Sequence, residues 1–100
     1  MNEEILAQHA QKIAAKIQAA LKYPAQARRK GWEGQVVMTL HLLSTGQLER
    51  IEVIKQTPYQ MLNEAALQAL TKAQPFPPIG SVPRGQKIIV TIPIEFRLTR

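Results

Sequence analysis

The 100-residue chain contains no cysteine, which excludes disulfide stapling and thiolate metal sites. Cysteine-free domains work in every compartment, so this absence leaves the location open. Aromatic residues make up only 5% of the chain, too few for a platform on which nucleic-acid bases stack. No apolar run approaches the roughly 20 residues needed to cross a bilayer. The N-terminus does not read as a signal peptide, since Glu3 and Glu4 stand where its basic region belongs, so any anchor or export signal is expected outside this chain. Acidic residues are outnumbered, 7 against 13 Lys and Arg, for a net charge of +6. That excess raises nucleic acid or an anionic surface as partners. The basic residues are scattered, however, and Arg28-Arg29-Lys30 forms the one cluster, which weighs against a nucleic-acid partner.

Catalytic groupings are missing as well. His9 and His41 lie far apart, and neither sits in a metal-ligand spacing. There is no glycine-rich phosphate loop, no nucleophile elbow, and no carboxylate with an evident acid–base partner. The expectation is a protein that is not an enzyme and that uses no cofactor and no metal.

What the chain does have is one strongly patterned segment, Gln35 to Leu43. Val36, Met38, Leu40 and Leu42 fall on one side of an extended chain, Val37, Thr39, His41 and Leu43 on the other. One apolar and one mixed face predict a central strand in an antiparallel sheet covered on a single side. Ahead of it, residues 3 to about 22 predict a helix, with Leu6, Ala10, Ile13, Ile17, Ala20 and Leu21 in one stripe and His9 in solvent. Pro24 ends that helix, because the residue before a proline disfavours the helical region. Pro24 to Lys30 suit a short helical restart, and Trp32 reads as a packing residue.

After the central strand, Ser44-Thr45-Gly46 predicts a hairpin turn. The second strand spans about Gln47 to Gln56, with a bulge near Glu49-Arg50 restoring the phase of Leu48, Ile51 and Val53. Thr57-Pro58-Tyr59-Gln60 reads as a helix start capped by Thr57, followed by the stripe Leu62, Ala65, Ala66, Ala69 and Leu70. Pro75-Phe76-Pro77-Pro78, with Gly80 and Pro83 beyond, predicts a stiff connection. The last strand runs from about Lys87 to Leu98, with Val90, Ile92, Ile94, Phe96 and Leu98 on its core face.

These elements make a single α+β domain over residues 1–100, of order α-β-β-α-β, with an N-terminal helix (1–22) and a core (23–100). The expected sheet is three-stranded and antiparallel, in order 2-1-3, with two helices on the face bearing Val36, Leu40, Ile92 and Phe96. Met38, Leu48, Val53 and Ile94 are expected to be largely buried. Pro93 has no N–H, so it belongs on an edge strand with its nitrogen turned outward. Backbone groups alternate sides along a strand, so Ile89, Thr91, Pro93, Glu95 and Arg97 share the outward parity and offer the donors and acceptors of the free edge.

The residues also carry a family resemblance. Tyr23-Pro24, Ala27-Arg28-Arg29, Gly31, Glu33-Gly34 and the Val36-x-Met38-x-Leu40 strand resemble the opening run of TonB C-terminal domains. Gly46 with Leu48, Ile51 and Val53 is similar to that family's second strand. Leu62, Glu64-Ala65-Ala66-Leu67, Ala73-x-Pro75-Phe76-Pro77-Pro78 and Ile92-Pro93-Ile94-x-Phe96-x-Leu98 resemble its helix, its Pro-Phe-Pro-Pro and its final strand. The resemblance covers roughly residues 13 to 98 in the family's order. It implies the periplasmic domain of an inner-membrane-anchored energy transducer that serves siderophore and iron uptake. Such domains couple a proton-driven motor complex of the ExbB/ExbD type to outer-membrane transporters, by binding the transporters' TonB box as a strand added to the last strand. The outward set Ile89, Thr91, Pro93, Glu95 and Arg97 is then the expected peptide-binding edge, flanked by Tyr23, Pro24 and Arg28. A homodimer is compatible with this reading. The alternatives are a TolA-like envelope-integrity domain and, in a different class, a small basic nucleic-acid-binding domain. The chain departs from the pattern in three places. Ala20-Leu21 stand where many members carry Gln-Pro, whose glutamine helps hold the box; Gln56-Thr57-Pro58 replace Ser-Ser-Gly; and Asn63 replaces an aspartate.

Overall fold

The computed structural model describes residues 3–78 and 86–98, with side chains from residue 9 onward. The chain runs α1 (Glu3–Ala20), α2 (Ala25–Lys30), β1 (Gly34–Leu43), β2 (Leu48–Lys55), α3 (Gln60–Lys72) and β3 (Lys87–Phe96). β1 is the middle of a sheet ordered β2-β1-β3, antiparallel to both neighbours. Its Val36, Met38, Leu40 and Leu42 are all buried, and the residues between them are half-buried, as the alternation demands. On β3 the even-numbered Ile88, Val90, Ile92, Ile94 and Phe96 are buried in the same layer.

The helices close that layer from one side. α1 packs on β3 and on α3, and α3 reaches β1. Most of a helix's stability in a protein comes from packing of its apolar face rather than from intrinsic propensity. Ile13 and Ile17 are wholly buried, and burying each is worth about 1.5–3 kcal/mol, which fastens the helix. α3 contributes Leu62, Ala65, Ala66, Ala69 and Leu70, whose small side chains allow close approach. The short α2 is the restart expected after Pro24, and Gly31 closes it in the left-handed region at φ 70°. Leu6, Gly80 and Pro83, which the sequence reading invoked, lie outside the described side chains.

Several details differ from the sequence expectations. Val53 is 37% exposed rather than buried, as is Ile51, and Leu48 is half-buried. The helix pair is shifted toward β3, and among the described residues β2 makes few contacts with either helix. β2 carries two bulges, one at Glu49 as expected and a second at Ile54, seen as register shifts between His41 and Leu42 and between Val37 and Met38. α1 stops at Ala20 and β3 at Phe96, each two residues early. Beyond β3, the Leu98 N–H donates to the Glu33 carboxylate at 2.7 Å and leaves the strand geometry.

Thr57 does not cap α3, which begins at Gln60 with Tyr59 in the cap position and no side-chain cap bond. His9 is not solvated: its Nε2 lies 3.1 Å from the Pro77 carbonyl. The Pro-rich segment folds back along α1, where Lys16 Nζ also donates to the Pro75 carbonyl at 2.5 Å. Phe76 is buried by the same fold-back. It presses on the hairpin so closely that a Cβ on Gly46, already at φ 92°, would sit 2.1 Å from the Phe76 carbonyl oxygen.

Candidate functional site

β3 is ten residues long and pairs with β1 without a register break, from Gly34 opposite Phe96 to Leu43 opposite Lys87. Its other side is a sheet edge. Side-chain and end contacts fix which backbone groups face that edge. The Ser44 N–H donates to the Gln86 carbonyl at 3.1 Å, and the Leu98 N–H donates to Glu33, so even-numbered groups point toward β1. Pro93 stands opposite Val37 and has nothing to donate there. In antiparallel ladders the non-hydrogen-bonded pairs bring side chains closest. The Thr39 and Thr91 hydroxyls lie 3.0 Å apart, and the Gln35 amide donates to the Glu95 carboxylate at 2.9 Å, in keeping with such pairs at the odd positions.

Odd-numbered backbone groups therefore turn outward, and one of them demonstrates it directly. The Glu95 carbonyl accepts from the Gln18 side-chain amide at 3.0 Å, and the Glu95 N–H donates to the Gln18 side-chain oxygen at 3.4 Å. This corrects the expectation that Glu95 offers free groups, because α1 overhangs the edge and engages both. Gln18 had no sequence signal, since it is 77 residues from Glu95 and sits among ordinary exposed helix residues. Ile89 is 60% exposed, and Thr91 and Pro93 are exposed beside it. Arg97 lies just past the strand and donates to the Glu95 carboxylate at 2.8 Å. That bond, helped by the charge of Arg97 and the amide of Gln35, holds the Glu95 carboxyl below the usual glutamate range.

At the same end, Tyr23 meets Phe96 edge-on, with ring centroids 5.5 Å apart. Its hydroxyl donates to the Trp32 carbonyl. Burial pushes the Tyr23 phenol up, the Glu33 carboxylate adds to that, and the nearby Arg28 pulls the other way. The Arg28 guanidinium stands 5.9 Å from the Tyr23 ring centre. Trp32 is the packing residue expected, stacked on Tyr59 at 4.6 Å. Tyr23, Arg28, Arg29, Lys30 and Arg97 line an open cleft of about 710 Å³. The fold thus gathers Tyr23, Arg28 and Arg97 at one end of β3. Pro24 is not among them and borders a separate groove with Met61 and Glu64. Among the described residues no three metal-ligating side chains converge, and no helix is long and apolar enough to cross a membrane.

A family model described as Gram-negative bacterial TonB protein C-terminal matches residues 19–98. The chain belongs to the TonB C-terminal domain family. Its residues are 37% identical over 79 positions to the protein tonB2 of Pseudomonas aeruginosa, a match covering 79% of this chain and 29% of that protein. They are 33% identical over 87 positions to the TonB protein of Pasteurella multocida, covering 87% of this chain and 33% of that one. This TonB domain thus spans a third or less of the length of those relatives. In three dimensions it is similar to the solution structure of the Helicobacter pylori TonB C-terminal domain, with a TM-score of 0.74 and 27% identity, over 100% of this chain and 86% of that one. The Pseudomonas aeruginosa TonB C-terminal domain superposes with a TM-score of 0.56 at 26% identity, covering 80% of each chain.

Proposed function

We propose that this TonB domain is the periplasmic end of an inner-membrane-anchored energy transducer, and that it takes up the TonB box of outer-membrane transporters as a strand added to β3. A proton-driven inner-membrane motor then acts on the transporter through that added strand, as in iron and siderophore uptake. The observation that carries this reading is the edge of β3, a ten-residue strand that pairs with β1 without a register break and whose odd-numbered backbone groups turn away from the sheet, interrupted at Pro93 and at Glu95. Strand addition draws its affinity from main-chain bonds and asks little of the partner's sequence. It also shares a pull along the strand among several bonds at once. The other edge is poorly suited, because two bulges and the charged residues Glu49, Arg50, Glu52 and Lys55 blunt β2. Tyr23, Arg28 and Arg97 flank the end of the added strand in this reading, and β3 rather than a cofactor or catalytic group does the work.

The test is titration of the domain with a synthetic TonB-box peptide, followed by NMR, on the wild type and on Thr91→Pro. The Thr91 backbone faces the open edge, so proline there deletes one donor and crowds the edge; it also removes the surface hydroxyl contact with Thr39 while leaving the core face intact. The variant is expected to keep its dispersed spectrum and to lose about tenfold in affinity, the scale of one backbone hydrogen bond and its surroundings. Shifts confined to β2, or equal affinity for both proteins, would overturn the assignment of the edge.

A further inference from the structure

The contact between Gln18 and Glu95 has a specific form. In an antiparallel ladder, a residue of a hydrogen-bonded pair exchanges both its N–H and its C=O with one residue of the neighbouring strand. The Gln18 carboxamide makes that same exchange, donating from Nε2 to the Glu95 carbonyl at 3.0 Å and accepting the Glu95 N–H on Oε1 at 3.4 Å. A side-chain amide has the same donor and acceptor chemistry as a peptide group. One rung of the outward edge is therefore already filled, from the last turn of α1, by a mimic of the strand that β3 would otherwise receive. The neighbouring outward position is Pro93, which has only an acceptor to give. Among the described residues, the two together divide the edge into an open stretch, Lys87 to Thr91, and an occupied end at Glu95.

We propose that Gln18 is an intramolecular competitor for the added strand: a partner segment pairs first along Lys87 to Thr91 and extends past Pro93 only by displacing Gln18 from Glu95. This rests on the strand-addition reading above and deepens it, since it gives α1 a part in setting how far the partner engages. The sign is opposite to that of a glutamine that holds the partner. The placement also bears it out, because Gln18 is exposed and has no hold on the core: its neighbour Ile17 fastens the helix, leaving the carboxamide free to be exchanged. Ordinary hydrogen bonds at an exposed site are modest in net strength, so the competition is readily reversed.

The experiment uses Gln18→Ala, a change that favours the helix and removes no buried group. Two readouts are taken. In the free domain, the Glu95 amide is expected to exchange with solvent severalfold faster in the variant than in the wild type. A synthetic TonB-box peptide long enough to pair from Lys87 to Glu95 is expected to bind the variant about fivefold more tightly, which is about 1 kcal/mol. On the wild type, the same peptide shifts the Gln18 side-chain amide resonances. A peptide truncated so that it ends opposite Thr91 is expected to bind both proteins equally. Weaker binding to the variant would show that Gln18 holds the partner, and equal binding of the long peptide would show that it is a bystander; either overturns the proposal. Failure of the strand-addition reading looks different: the long peptide then leaves the β3 amides of both proteins unmoved.

Discussion

Asn63 shows how much one side chain organises in a chain with few polar groups in its core. Its Oδ1 accepts the Thr57 N–H and the Thr57 hydroxyl, each at 2.9 Å, and its Nδ2 donates to the Thr57 carbonyl at 3.0 Å. Both residues are buried, so Asn63 satisfies the whole backbone of Thr57 at the point where β2 gives way to α3. An ionised aspartate could accept the first two bonds but would face the carbonyl with nothing to donate. Thr57 in turn packs on β1: a Cβ on Gly34 would come within 2.7 Å of its methyl group. Asn63→Ala should therefore strand a buried N–H and a buried C=O and cost about 3 kcal/mol, at 1–3 kcal/mol for each such group. Urea unfolding measures it, and a loss below about 1 kcal/mol would show that water replaces the amide. The sequence marked Asn63 only as a departure from a resemblance. Its role depends on Thr57 being folded back over it, and no local pattern reveals that.

Between elements, the notable asymmetry lies in how the two helices are shared among three strands. α1 sits on β3 and overhangs its edge, α3 sits toward β1, and β2 keeps Ile51 and Val53 partly in solvent. Among the described side chains of α1, Ile13 and Ile17 are the ones wholly buried, so Ile17→Asp should lower stability by about 3 kcal/mol or more, because it places an unpaired charge where the wild type is fully buried. Thermal unfolding tests this, and an unchanged midpoint would show α1 to be detachable from the core. The outcome also bears on Gln18, one residue further along α1. If the helix comes off in Ile17→Asp, the Glu95 amide loses its partner and exchanges quickly there as well.

For the molecule as a whole, the decisive quantity is the net charge of +6 set against a proposed binding edge made of neutral backbone. Association through phosphates releases counterions and weakens steeply with salt, by about 10³ or more between 50 and 200 mM for six or more contacts. Strand addition to β3 releases few counterions. Peptide affinity is therefore expected to change by less than about threefold over that range, although Arg28, Arg29, Lys30 and Arg97 line the cleft at one end of the edge. Isothermal titration at three salt concentrations measures it. A steep slope would move the binding from the strand to that cationic cleft and favour an anionic partner.

The order of strands, the single covered face and the exposed edge were legible in the chain because each follows from a local rule. Period-two alternation marked β1 and β3, a three-residue turn tied β1 to β2, and a helix between β2 and β3 required a crossover. Pro93 alone disclosed which side of β3 is unpaired, since a residue without an N–H cannot serve an inner ladder. What only the tertiary structure decided concerns contacts between residues far apart in sequence: His9 with Pro77, Asn63 with Thr57 across a helix start, and Gln18 with Glu95 across almost the whole chain. Glutamine on an exposed helix face looks the same in sequence whether it meets water or a strand. The position of α1 over β3 rather than over β2 is set by how the side chains of two apolar layers interlock, and that volume match is a property of the assembled core rather than of any segment.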